Sequence, residues 1–310
     1  MTVSLDETGG IPDMINVAII GLDSSHTIEF SKRMLGLDCP ETERTTQLKP
    51  VCCCRFDSPF QGKEGLDARE KLMTEMGIPV TLSFDEAVEN ADAIMLELND
   101  PSMHLEYFRK VAKLGKPVFL DKPMAQDLSS AKEIMTLAKR HAVRFFSSSA
   151  LRFDQAIRAA ARNYPNPARA IVWGPLGIAL AGSSVVWYGV HTIEILQTLM
   201  GQGAASVSAV RDEHGCVFTI AYTDGRRAIA EMTQGVWRYG GVLHNAEGTG
   251  EYPFAVETGA AFYGELLKEI ERFFAGDSDG VDEETMMDSM RILDAANRAW
   301  LSNNSESVKI

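Results

Sequence analysis

The alternation of the first half constrains this chain most. Short apolar runs at 15–20, 50–54, 79–82, 93–98, 117–120 and 143–147 are separated by helical patterns at about 27–35, 64–76, 84–90, 102–114 and 129–141. A strand too apolar for one wet face must be covered on both. Helices that cross from strand to strand make the sheet parallel. The pattern therefore predicts an α/β domain with a doubly wound parallel sheet. Ser83-x-x-Glu86 and Ser130-x-x-Glu133 read as capping boxes, and Gly77 and Gly115 as helix stops.

Beyond about residue 150 the rhythm changes. A helix near 152–163 precedes strand patterns at 168–173, 205–211, 215–222 and 227–234, and Asp224-Gly225 turns a hairpin between the last two. Two long amphipathic helices, about 258–275 and 283–302, close the chain. The division expected is residues 1–148 for the doubly wound domain and 149–310 for an α+β domain with an open, mostly antiparallel sheet, the last helix packing back on the first domain.

In such a sheet, ligands bind beyond the carboxyl ends of the strands. Those ends carry Gly21-Leu22-Asp23, Arg55, Asn99-Asp100 and Asp121-Lys122-Pro123. Gly21 allows a sharp turn into a helix whose free N–H groups can receive a pyrophosphate. Asp23 stands at the second position of the glycine pattern, followed by Ser24, Ser25 and His26; an ordinary turn capped by Asp23 or Ser24 would look the same. Arg55 occupies the place where an acid usually binds the adenosine ribose, and a guanidinium there suits a 2′-phosphate; a surface arginine is the alternative. Lys122, stiffened by Pro123, can relay a proton at a reacting oxygen or merely be solvated. His191 begins an apolar helix, one turn before Glu194 on the same face. A satisfied core histidine fits that setting equally.

Taken together, "VAIIGLDSSH", "LNDPSMH" ending at His104, "FLDKPMA", "SALRFDQAI", "GVHTIEILQTLMG" and the closing "ILDAANRAWLSNNSESVKI" resemble the Gfo/Idh/MocA oxidoreductase family over nearly the whole chain. The resemblance implies a Rossmann domain, a C-terminal domain with an open sheet, and NAD(P)-dependent oxidation or reduction of a secondary alcohol on a sugar, sugar acid or cyclitol. It implies Lys122 and His191 as catalytic residues. Gly21, Leu22, Asp23, Ser24, Ser25, His26, Arg55, Asn99, Asp100, His104 and Lys122 would bind cofactor, NADP rather than NAD by Arg55. Arg152, Trp187, Tyr188 and His191 would contact substrate. The chain departs from the family where Trp187 replaces an Asp four residues before the histidine, and in its depleted glycine loop. Two other classes stay open: a non-catalytic sugar- or nucleotide-binding regulator, and a lyase, epimerase or hydrolase using tightly held NAD transiently.

Composition narrows the partners. The formal charge of −13, with no offsetting basic run, excludes a general nucleic-acid binder. The five cysteines form no C-x-x-C pair and no Cys/His metal spacing, so no metal is expected and the thiols read as reduced core residues of a cytoplasmic protein. No secretory signal is apparent. The charge-free stretch 170–190 is broken by Gly174, Pro175, Gly177 and Gly182, which argues against a membrane span and for a pocket wall. An open sheet needs covering, so a homodimer or homotetramer is expected.

Overall fold

The computed structural model describes residues 14–257, 261–302 and 308–310. Its first half runs β1 (Ile15–Ile20), α1 (Ser25–Leu35), β2 (Leu48–Cys54), α2 (Lys63–Glu75), β3 (Val80–Thr81), α3 (Phe84–Val88), β4 (Ala93–Leu96), α4 (His104–Val111), β5 (Val118–Leu120), α5 (Leu128–His141) and β6 (Phe145–Ser147). All six strands are parallel, in the order β3-β2-β1-β4-β5-β6. The order reverses between β1 and β4, which opens a crevice at their carboxyl ends. Every residue from Val17 to Ile20 and from Ala93 to Leu96 is fully buried, as strands covered on both faces require.

The second half runs α6 (Gln155–Asn163), β7 (Arg169–Pro175), α7 (Ser184–Trp187), α8 (Val190–Met200), β8 (Ala204–Arg211), β9 (Gly215–Tyr222), β10 (Arg227–Thr233), β11 (Gly240–His244), β12 (Glu251–Ala255), α9 (Ala261–Ala275), α10 (Glu283–Ser302) and β13 (Val308–Lys309). Its sheet has the order β12-β11-β7-β10-β9-β8-β13, antiparallel except where β7 pairs with β10. The fold class expected from the sequence is therefore present. Strands β11 and β12 have no counterpart in the sequence reading. The adjacent Gly240-Gly241 and the mid-strand Pro253 hide them, and β12 tolerates Pro because it lies at the sheet edge.

The helix ends follow local chemistry. Ser83 Oγ accepts from Glu86 N, but the first capping box is only half formed: Ser83 N donates to Thr81 Oγ1, and that hydroxyl donates to the Glu86 carboxylate. The second does not form: Asp127 caps α5, accepting from Ser130 N at 2.7 Å. Gly77 and Gly115 take left-handed conformations after their helices. The expected start of the helix at 258–275 falls on residues outside those described; from Ala261 onward it is helical. Helix α10 packs along α5, tied by Leu128 N to Asp294 Oδ1 and by Lys139 to Glu283. Cys52, Cys53, Cys54 and Cys216 are buried, and none of the cysteines is paired. No helix among the described residues is long and apolar enough to cross a membrane.

Gly21 holds φ at +119°, and a Cβ there would stand 2.5 Å from the Glu97 carbonyl oxygen. Gly21→Ala combines backbone strain with a clash against immovable backbone. A stability loss of about 3 kcal/mol is expected, read by urea unfolding.

Candidate active site

Helix α1 starts with Ser24 as N-cap, its hydroxyl accepting from His26 N at 3.1 Å. Among the first residues of α1, Ser25 is exposed while His26 and Thr27 are buried. Asp23 turns inward. Its carboxylate accepts from Asn99 N at 3.1 Å and from Ser58 Oγ, which directs its charge away from the helix N-terminus. Leu22 is fully buried, and its carbonyl accepts from Arg69. This loop is thus packed by side chains that the sequence reading did not assign, Ser58 and Arg69.

His26 also points inward. Its Nδ1 lies 2.7 Å from Asp121 Oδ2 and 3.9 Å from Glu97 Oε2, and Tyr263 packs edge-on against the ring. Burial alone would raise the Asp121 carboxyl, but the His26 and Lys122 charges and their hydrogen bonds pull it down to about 2. Glu97 follows β4 and is wholly buried, and neither carboxylate oxygen has a hydrogen-bond partner among the described residues. Burial, then the Asp121 charge, holds its carboxyl well above the usual range. Glu97 and Asp121 were not picked as site residues from sequence. A lone acid inside "AIMLEL" was the available signal, because an apolar strand rarely ends in an unpaired charge.

Lys122 follows β5 and is buried at 7% exposure, and the Lys122–Pro123 peptide is cis. His191 enters from α8, which is buried on nearly every face. Ser149, just beyond β6, places its hydroxyl 2.7 Å from His191 Nδ1. Tyr188 and Tyr239 pack edge-on against the imidazole at 5.1 and 6.0 Å. Burial first, then the Lys122 and His26 charges, push His191 well below the ordinary histidine range. Lys122, His26 and His191 thus share one electrostatic neighbourhood at the junction of the two halves.

Other expected contacts resolve differently. Arg55 pairs with Asp67 at 2.6 Å and with Glu70, so its charge is already matched. His104 is wholly buried and its Nε2 lies 2.9 Å from the Leu98 carbonyl; it braces the turn after β4. Arg152 directs its guanidinium at Glu194, Gln197 and Ser289, joining α8 to α10. Trp187 donates Nε1 to Asn99 Oδ1 at 2.8 Å and stacks near Phe60, crossing between the halves. Asp100 caps the short turn Pro101–Met103 and lines a groove of about 490 Å³ with Ser183, Trp187, Asn297 and Trp300. The charge-free stretch supplies part of that wall, yet Ile178 and Leu180 stand 70% and 68% exposed.

Residues 63–149 match a family model described as GFO_IDH_MocA, oxidoreductase family, NAD-binding Rossmann fold. The family resemblance drawn from the motifs is borne out there. No curated protein matches the chain. Among solved structures it is similar to myo-inositol dehydrogenase from Lactobacillus casei in complex with NAD(H) and myo-inositol, at 16% identity and TM-score 0.77, covering 96% of this chain and 97% of that one. It is similar to scyllo-inositol dehydrogenase from Lactobacillus casei with bound NAD(H) and scyllo-inositol, at 16% identity and TM-score 0.76, covering 96% and 99%. GenD2 from gentamicin A biosynthesis, in complex with NAD, aligns at 13% identity and TM-score 0.78, covering 97% of each chain. At these identities the likeness establishes the fold.

Burial pushes both imidazoles below the ordinary histidine range in the folded chain, His191 further than His104. The unfolded chain binds their protons below about pH 6.5, so stability falls as pH drops through that value. Each histidine contributes a slope of up to about 1.4 kcal/mol per pH unit. Urea unfolding between about pH 5 and 7 should show this slope, and His191→Asn should remove the larger share of it, because His191 is the more strongly shifted.

Proposed function

From a chain whose residues 63–149 match the Gfo/Idh/MocA oxidoreductases and whose two-sheet fold is shared with inositol dehydrogenases, we propose an NAD(P)-dependent dehydrogenase acting on a secondary alcohol of a sugar, sugar acid or cyclitol. The observation that carries this reading is the convergence of Lys122, from the carboxyl end of β5, with a neutral His191 from the second half. Residues 1–148 serve as the nucleotide domain and 149–310 as the substrate domain.

The residues present suit a dinucleotide. Gly21 keeps the turn after β1 tight, and Asp23 spends its charge on Asn99 and Ser58 rather than across the N-terminus of α1. The Gly21 N–H stays in the sheet, donating to the Cys54 carbonyl at 3.0 Å, so Leu22, Ser24 and the exposed Ser25 present the backbone N–H groups and hydroxyls for the pyrophosphate. Asn99 and Asp100 flank the path toward Lys122. The preference for NADP expected from Arg55 is not carried forward: Asp67 and Glu70 already match that cation and would face a 2′-phosphate. NAD is the cofactor proposed.

When bound, NAD supplies the hydride acceptor. Lys122 takes the hydroxyl proton as the alcohol is oxidised, and returns it in reduction. His191 is fixed through Nδ1 by Ser149, leaving Nε2 for the same oxygen. Its depressed basicity and the missing Asp at 187 assign it to positioning by hydrogen bond. Tyr188, Trp187 and Tyr239 wall the centre, excluding water so that Lys122 acts at low dielectric.

An oxidation screen over cyclitols, aldoses and sugar acids with NAD tests the reading; no turnover and no dinucleotide binding would defeat it. Lys122→Met should lower kcat by about 10²–10⁴-fold while NAD affinity is nearly unchanged. Titration should give NAD the tighter binding, with Arg55→Ala altering little.

The outer face of the second sheet aligns Ile171, Ile229 and Val242 in register, with Trp173 39% exposed beside them. We propose that a second copy covers this face. Sedimentation should show a dimer or tetramer, shifted toward monomer by Trp173→Glu.

A further inference from the structure

The buried cluster beneath the β1–α1 turn has chemistry that the proton relay does not use. His26, Glu97 and Asp121 each offer one ligand atom, and the three atoms lie within 4.8 Å of one another. Glu97 is wholly buried, and neither of its oxygens has a hydrogen-bond partner among the described residues. Buried carboxylates find donors or cations, because water is no longer there to solvate them. No hydrogen-bond donor among the described residues reaches Glu97; the His26 ring nitrogen stands 3.9 Å from it, and the Lys122 charge acts on it. We propose that His26, Glu97 and Asp121 form a binding site for a divalent first-row transition metal, with Zn²⁺ as the representative ion.

The geometry is close to what such an ion needs. Metal bonds of about 2.0–2.2 Å hold neighbouring tetrahedral ligand atoms about 3.3 Å apart. The His26–Asp121 separation of 2.7 Å and the His26–Glu97 separation of 3.9 Å lie on either side of that value. A metal replaces the proton shared by His26 and Asp121, drawing Glu97 inward by a few tenths of an ångström. One imidazole and two carboxylates suit Zn²⁺, Fe²⁺ or Mn²⁺ rather than a soft ion. A dication entering the cluster displaces the Glu97 proton, and the two carboxylates then answer its charge. Three protein ligands leave a position open, the arrangement of sites that hold water or an oxygen ligand. The ligands are 71 and 24 residues apart in the chain, which is why no motif announces them.

The site is independent of the dehydrogenase reading, since metal content is measured without nucleotide or substrate. Equilibrium dialysis of the full chain against Zn²⁺, followed by elemental analysis, should give one ion per chain. Co²⁺ in its place should give visible absorption bands of a four- or five-coordinate ion. Glu97→Gln and His26→Gln should each weaken Zn²⁺ binding at least 100-fold, whereas His214→Gln, at an exposed histidine beside Glu213, should leave it unchanged. Absence of stoichiometric Zn²⁺ and of Co²⁺ bands in the native chain overturns the proposal, whatever the variants do. So does binding lost in His214→Gln but kept in Glu97→Gln. Where a variant fails to fold, Zn²⁺-dependent thermal stabilisation of the native chain remains a readout: a rise in Tm supports the site, and no rise counts against it.

Discussion

The contact between His26 and Asp121 organises the centre of this molecule. One ring nitrogen at 2.7 Å from a buried carboxylate pins the first turn of α1 to the end of β5. The Gly21 turn brings the start of α1 close over the sheet, so close that a Cβ at Gly21 would stand 2.5 Å from the Glu97 carbonyl oxygen. A buried carboxylate is costly unless it is well hydrogen-bonded. Asp121 meets that condition with two partners, the His26 ring and the Lys122 N–H at 2.8 Å. Glu97 beside it does not, and this asymmetry marks the cluster as more than packing.

The second half is assembled around the same edge. Ser148 and Ser149, following β6, bond Glu194 and His191 on α8, so the end of the first sheet sets the position of the second domain's central helix. Arg152 extends that network to Ser289 on α10, while Trp187 reaches Asn99. These are polar ties inside a largely apolar interface, where an unmade bond costs more than a made one gains. Their effect is positional: they fix where Lys122 and His191 meet. The same burial that makes the ties specific also holds His191 neutral.

Much of the first domain was legible because its signals are local. An apolar run flanked by turn residues needs no knowledge of the rest of the chain, and β1, β2, β4, β5 and α2 lie within a few residues of their expected bounds. The motif ends at Gly21, Lys122 and His191 were legible for the same reason. Side-chain direction was not. Arg55 and Arg152 looked like ligand cations, yet each found acidic partners on a neighbouring helix, Glu70 on α2 and Glu194 on α8. His26 looked like a phosphate donor and instead faces the sheet.

The sequence by itself determined the doubly wound sheet, the change of architecture near residue 150 and the chemical types at the strand ends, because periodicity and turn chemistry act within a few residues. Only the tertiary structure decided which charges are already spent and which are left over. That outcome depends on partners far apart in the chain: Glu97 and Asp121 just beyond the ends of neighbouring strands, His26 on the helix above, and His191 from the other half. Burial by those distant elements turns a carboxylate, a lysine or a histidine from a solvated group into one whose charge must be answered.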